Sequence, residues 1–285
     1  MRFINYEMDG RQGIAVDDGN GFRGVTCDKS TFPGDLPTLI TSSHRLPEIG
    51  RSLLAEPVVD IRAVTLLPPV ARPPKILCVG LNYDDHLNEA GLKRPGYPEI
   101  FARLATSLIG HRSAIARPPE SDKLDYEAEL AVVIGLGGRR IAQEAALDHI
   151  AGYSIFNDAT LRDYQFRTPQ WTVGKNFDRT GAFGPWLVTP DALPLGAKGL
   201  RIQGRLNGQT VQDSNTKFLI FDVATLIATL STTMTLEPGD VIITGTPGGV
   251  GASRNPKLFM QSGDVFEAEI EHIGTLTNSV ADEVA

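Results

Sequence analysis

Leu124-Asp125-Tyr126-Glu127-Ala128-Glu129-Leu130-Ala131-Val132-Val133-Ile134-Gly135 opens polar and turns wholly apolar after Glu129. The run from Leu130 to Ile134 is rich in β-branched residues and stops at glycine, which is the pattern of a buried strand. Side chains alternate faces along a strand, so Glu127 and Glu129 project the same way, close together. Two readings stand on spacing alone. Both glutamates face water on an edge strand, or they form a buried acidic pair. A buried pair carries like-charge repulsion and the cost of ionisation away from water, and a divalent cation relieves both.

Outward from this strand the chain reads as strands and turns with a few short helices, an α+β, strand-rich class. Lys75-Ile76-Leu77-Cys78-Val79-Gly80 is a second buried strand, and residues 85–90 a short helix closed by Gly91. A helix is expected over about residues 142–150, a strand over 153–156 and one or two helical turns over 159–166. Arg201 to Leu206 followed by Asn207-Gly208 reads as a hairpin. Residues 218–231 form the longest apolar-periodic helix, and Val241 to Gly251 a strand running into a glycine-rich loop. Short strands are expected over residues 2–7 and 13–16, a helix near 46–54 and a final strand over 265–273. Proline pairs at Pro68-Pro69 and Pro73-Pro74 break regular structure. They mark a boundary between a small N-terminal domain, residues 1–70, and a larger domain, residues 71–285.

The formal net charge is −7, with acidic and basic residues interspersed, which argues against nucleic acid or an anionic membrane as partner. No apolar run has the length of a membrane span, and the first residues lack the hydrophobic stretch of a signal peptide. Cys27 and Cys78 are the only cysteines, so neither a disulfide framework nor a zinc site is expected. The expected location is cytoplasmic.

Several side chains bear chemistry. Asp158 ends the apolar strand Gly152-Tyr153-Ser154-Ile155-Phe156-Asn157-Asp158. It is either a helix N-cap or a third carboxylate beside Glu127 and Glu129. Three hard oxygen donors suit Mg²⁺ or Mn²⁺, one per subunit. His86 and Glu89 lie three apart, so on a helix the carboxylate can orient the imidazole as a general base; a solvated polar face is the alternative. Lys175, after Trp171-Thr172-Val173-Gly174, is either solvated or placed to stabilise developing negative charge. Arg162 and Gln165 suit carboxylate or carbonyl oxygens. Gly245-Thr246-Pro247-Gly248-Gly249-Val250-Gly251 lacks the Lys-Ser/Thr ending of a nucleotide loop, and reads as a tight loop close to a ligand.

Five segments together resemble the fumarylacetoacetate hydrolase family: Val79-Gly80-Leu81-Asn82-Tyr83-x-x-His86-x-x-Glu89; Asp125-Tyr126-Glu127-x-Glu129-Leu130; Gly152-Tyr153 through Asp158-x-x-x-Arg162-Asp163-x-Gln165; Gly174-Lys175-x-Phe177; and Leu236-x-Pro238-Gly239-Asp240-Val241-Ile242-x-Thr244-Gly245-Thr246-Pro247-x-Gly249-Val250-Gly251. The likeness runs from about residue 75 to the C-terminus, in order. It implies a mixed β-roll or sandwich catalytic domain, usually dimeric, behind a small N-terminal domain. It assigns Glu127, Glu129 and Asp158 as ligands of Mg²⁺ or Mn²⁺, and His86-Glu89 as a water-activating dyad on a lid over residues 82–98. It sets Lys175 beside the substrate's oxygens and makes Arg162, Gln165, Tyr83 and Thr246 substrate-binding residues. Many small members have arginine where this chain has Leu81.

The implied chemistry is hydrolysis of a carbon–carbon bond in an acylpyruvate, or a related β-diketone or 2-oxoacid, through a cation-stabilised enolate. Decarboxylation of oxaloacetate and isomerisation of a 2-hydroxy-dienoate are alternatives on the same site. A non-catalytic metabolite-binding protein is a further one.

Overall fold

The computed structural model describes residues 1–91 and 93–283. Strands β1 (Arg2–Met8), β2 (Arg11–Asp17) and β3 (Arg23–Thr26) form an antiparallel meander. Helix α1 (Leu36–Ile40) starts at Asp35, whose carboxylate accepts the Thr38 N–H at 3.0 Å. Helix α2 (Leu46–Leu53) follows, and β4 (Thr65–Leu67) returns to pair with β1. Next come β5 (Ile76–Gly80), α3 (Asp84–Ala90), β6 (Glu99–Arg103), and the short strands β7 (Leu108–Ile109), β8 (Ile115–Arg117) and β9 (Leu124–Asp125).

The decisive strand is β10 (Ala128–Ile134), which begins immediately after Glu127. It pairs antiparallel with β11 (Ile150–Asp158) on one side. Strand β12 (Thr160–Leu161) and helices α4 (Arg162–Gln165) and α5 (Thr172–Lys175) lead to β13 (Gly181–Val188). The hairpin β14 (Arg201–Leu206) and β15 (Gln209–Asn215) turns at Asn207-Gly208, both with positive φ. Helix α6 (Val223–Thr233), β16 (Val241–Ile243), β17 (Val265–Ile270) and β18 (Gly274–Asp282) complete the chain.

The main sheet runs β3-β2-β1-β13-β11-β10-β16-β5-β6, with β4 attached to β1 and β7 to β13; a second runs β15-β14-β17-β18-β8. Most pairs are antiparallel, but β16–β5, β13–β7 and β18–β8 are parallel, so both sheets are mixed. Strand β10 is interior, flanked by β11 and β16, with every residue buried. That removes the solvated-edge reading of Glu127 and Glu129.

Three local expectations need correction. Residues 143–149 form a 3₁₀ stretch, Gln143–His149, rather than an α-helix. The helical turns expected from residue 159 begin only at Arg162, because Thr160 and Leu161 pair with β9. The long helix starts at Val223 rather than 218: Asp222 caps it by accepting the Thr225 N–H, and a separate 3₁₀ turn, Thr216–Phe218, precedes the cap. At the other end of the chain, β1 pairs with β13 at Arg2↔Val188 and Phe3↔Leu187. Phe3, Ile14 and Val16 share one apolar core with Val133, Phe156 and Phe183. Residues 1–70 thus extend the main sheet, and the two-domain division stays a proposal.

Candidate active site

The register of β10 against β11 sets Ala128 opposite Asn157 and Glu129 opposite Phe156. The Asp158 N–H donates to the Glu127 carbonyl at 2.9 Å. This brings Glu127, Glu129 and Asp158 onto one face, all buried, with carboxylate oxygens within 4.8 Å of one another. Asp158 is not a helix cap. Its Oδ1 accepts from Arg103 and its Oδ2 from Lys175 at 2.6 Å.

Burial and the charges of Asp158 and Glu127 push the Glu129 carboxyl well above its ordinary range. Its Oε2 accepts the Gly245 N–H at 2.5 Å. Burial also opposes the charge on Glu127, but Arg162 and Lys175 outweigh it and hold that carboxyl low. With Asp125, four carboxylates face three cations, Arg103, Arg162 and Lys175. With Glu129 ionised one negative charge is left over, and a bound cation would offset the burial and repulsion that raise that carboxyl. Hard oxygens, burial and that residual charge fit a divalent cation held by Glu127, Glu129 and Asp158.

Lys175 is committed more tightly than the sequence suggests. Its Nζ donates to Glu127 Oε2 at 2.5 Å and Asp158 Oδ2 at 2.6 Å, and lies 4.9 Å from the centre of the Phe101 ring. Arg162 is likewise bound by protein. Its Nε donates to Asp125 Oδ2 at 2.7 Å and its Nη1 to Gln165 Oε1 at 2.9 Å, while Nη2 stands 2.7 Å from Glu127 Oε1. Both residues line the cavity, yet their charge is spent on carboxylates of the chain.

Asp125 and Arg103 escaped the sequence reading. The Asp125 carboxylate accepts from Arg162 and from the Gly251 and Ala252 N–H groups at 2.7 and 2.9 Å, so it fastens the glycine-rich loop to the acidic floor. The same period of two that joins Glu127 to Glu129 reaches Asp125. Arg103 had no comparable signal: it lies 55 residues before Asp158, at the end of an ordinary-looking strand.

His86 lines the cavity from α3, and its Nδ1 is buried without a hydrogen-bond partner among the described residues. Burial, despite the nearby Glu127 charge, moves its pKa below 6.5. The imidazole is therefore neutral at pH 7. The expected bond from Glu89 to His86 is not formed. Glu89 is exposed, and its Oε2 instead accepts the Gly249 N–H at 2.8 Å. Thr246 lines the cavity, but its Oγ1 donates to the Ala128 carbonyl and accepts from Gln212 at 2.8 Å. Gln165 also lines it. Tyr83 does not: it is fully buried in the turn before α3, next to Asn82, whose side chain bonds Thr244 and Phe221. The expected mobile stretch, residues 82–98, includes Leu92, which lies outside the described residues. Among the described residues no helix is long and apolar enough to cross a membrane.

Residues 75–281 match the family model of the fumarylacetoacetate (FAA) hydrolase C-terminal domain. The chain is 39% identical to the mitochondrial oxaloacetate tautomerase Fahd2a of Rattus norvegicus, over 98% of this chain and 91% of that protein. Its structure superposes on the fumarylacetoacetate hydrolase of psychrophilic Exiguobacterium antarcticum with a TM-score of 0.85, at 36% identity over 99% and 100% of the two chains. It also superposes on the maleylpyruvate hydrolase of Sphingobium sp. SYK-6, solved with manganese(II) and pyruvate, with a TM-score of 0.81 at 28% identity over 100% of both chains. A strand-rich fold and a buried acidic triad, joined by similarity along nearly the whole length, have one explanation: the chain belongs to the fumarylacetoacetate hydrolase family.

Proposed function

We propose that the chain is a divalent-cation-dependent enzyme that moves a proton on an enolisable 2-oxoacid, interconverting its keto and enol forms. The observation that carries this reading is the neutral, unpaired Nδ1 of His86 at the rim of the three-carboxylate floor. Mg²⁺ or Mn²⁺ held by Glu127, Glu129 and Asp158 supplies a positive field for the negative charge that develops on a 2-oxoacid oxygen. His86 takes the proton from the carbon beside the carbonyl and returns it to the carbonyl oxygen. Lys175 and Arg162 keep Glu127 ionised and fixed. Phe101, Phe166 and Trp171 form part of the wall of the cavity and limit its water. The likeness to an oxaloacetate tautomerase supports this chemistry.

Hydrolysis of an acylpyruvate is the second reading. It is favoured by Glu89, which shares the seven-residue helix α3 with His86 and reaches it if the Gly249 bond is released. Resemblance to a maleylpyruvate hydrolase supports it. The two are separated by incubating the chain with oxaloacetate and with an acylpyruvate, with Mn²⁺ or with chelator, and following enol absorbance, pyruvate and CO₂ together. Cation-dependent keto–enol exchange without pyruvate release supports the first reading. Stoichiometric pyruvate and carboxylic acid support the second, and CO₂ release from oxaloacetate supports decarboxylation. Inactivity on every 2-oxoacid with either cation overturns all three. A homodimer and a cytoplasmic location, both expected from the sequence, are further proposals, tested by light scattering and cell fractionation.

A further inference from the structure

We propose that this site prefers 2-oxoacids whose far end is uncharged and apolar, an alkyl or aromatic group, over those carrying a second carboxylate there; the proposal rests on the 2-oxoacid reading above. The cavity lining joins two kinds of surface. One is the acidic floor. The other is the apolar set Val79, Leu81, Phe101, Phe166, Trp171 and Val250, with His86, Gln165, Thr246 and Ser253 as the neutral polar members. The Trp171 ring is fixed in place. It meets Phe101 edge-on with centroids 5.5 Å apart, and it lies so close over Gly80 that a Cβ there would stand 2.3 Å from its Cζ3. Phe166 stands at the rim with 67% of its surface exposed, a large apolar face that a bound ligand can cover.

Charge points the same way. The two cationic side chains lining the cavity, Arg162 and Lys175, are both committed to carboxylates of the chain. Four carboxylates, three cations and one divalent ion leave a single positive charge. One substrate carboxylate neutralises it. A second finds no cationic partner left among the described lining residues, and only the neutral Gln165, Thr246 and Ser253 to replace its hydration. An apolar group there removes apolar surface from water at no such cost.

Binding of phenylpyruvate and 2-oxoglutarate to the Mn²⁺-loaded chain tests this through intrinsic fluorescence. Of two tryptophans only Trp171 lines the cavity, and Trp171→Phe identifies its signal. Phenylpyruvate is expected to bind at least about tenfold more tightly, the scale on which apolar pockets discriminate. In parallel, kcat/KM is expected to be at least about tenfold higher for an aromatic acylpyruvate than for oxaloacetate. Phe166→Arg, at an exposed position on the cavity lining, is expected to shift the binding ratio about tenfold toward 2-oxoglutarate. Equal or tighter binding of 2-oxoglutarate by the native chain overturns the proposal, as does a ratio that Phe166→Arg leaves unchanged. Failure of the underlying reading looks different: neither class binds or reacts in the presence of Mn²⁺.

Discussion

Replacing Arg103 with methionine removes one charge from the floor while roughly keeping the volume of the side chain. Arg103 is 2% exposed. It pairs with Asp158, donates to the Thr180 hydroxyl at 2.8 Å, the Ala159 carbonyl at 3.2 Å and the Ser107 hydroxyl at 3.2 Å, and lies 5.5 Å from the centre of the Phe156 ring. The variant leaves Asp158 buried with Lys175 as its remaining cation, and leaves four carboxylates facing two positive groups. Removing one partner of a buried pair costs about 3–5 kcal/mol. At an m value of about 3 kcal/mol per molar urea, the unfolding midpoint drops by about 1–1.7 M. Because the floor then holds a larger negative excess, Mn²⁺ is expected to stabilise the variant more than the native chain, which itself gains about 2.7 kcal/mol at a hundredfold excess over Kd. Urea unfolding of both proteins, in Mn²⁺ and in chelator, measures both quantities. A loss below about 1 kcal/mol, or a smaller Mn²⁺ effect in the variant, means that Arg103 does not balance the acidic floor.

Glu127→Gln is expected to raise the Kd for Mn²⁺ at least about tenfold, read by calorimetric titration. His86→Ala is expected to lower kcat by about a hundredfold or more; in the native enzyme the acid limb of the rate profile should fall below pH 6.5, since burial lowers that pKa and activity needs the neutral ring. His111, buried beside Arg112 and accepting the Thr277 N–H at 3.1 Å, has its pKa pushed down to about 4. The unfolded chain binds the extra proton between pH 6.5 and 4, so stability falls with pH across that window, by up to about 3 kcal/mol, and urea unfolding of His111→Gln should show a flatter dependence. Residues 71–285 alone are proposed to keep Mn²⁺ binding while associating through the uncovered β13 edge, which calorimetry and light scattering measure.

The acidic floor was legible because its determinants are local. Period two in β10, an apolar run and a strand-ending Asp158 need no distant partner to be read. The hairpin at Asn207-Gly208 is visible for the same reason. What escaped depends on long-range pairing. Arg103 meets Asp158 only because the chain leaving β6 runs into β7, which pairs with β13, the neighbour of β11. Proline pairs at 68–69 and 73–74 marked a break in regular structure, and nothing near them shows that β1 will join β13. Lys175 and Arg162 looked available to substrate since neither is near Glu127 in sequence. The three-residue spacing of His86 and Glu89 was real, but a helix face permits a contact without requiring it, and the Gly249 amide competes for the carboxylate.

Arg162 and Lys175 both end on Glu127, and between them runs the segment that supplies Phe166 and Trp171. A loop pinned at both ends to one carboxylate can change length and side chains without disturbing that carboxylate. Mutation there can therefore explore new ligands while the ion-binding floor is inherited unchanged. Grafting residues 166–173 between relatives, which leaves Gln165 on Arg162 and Gly174 against Gln165, is a compact way to exchange their selectivity.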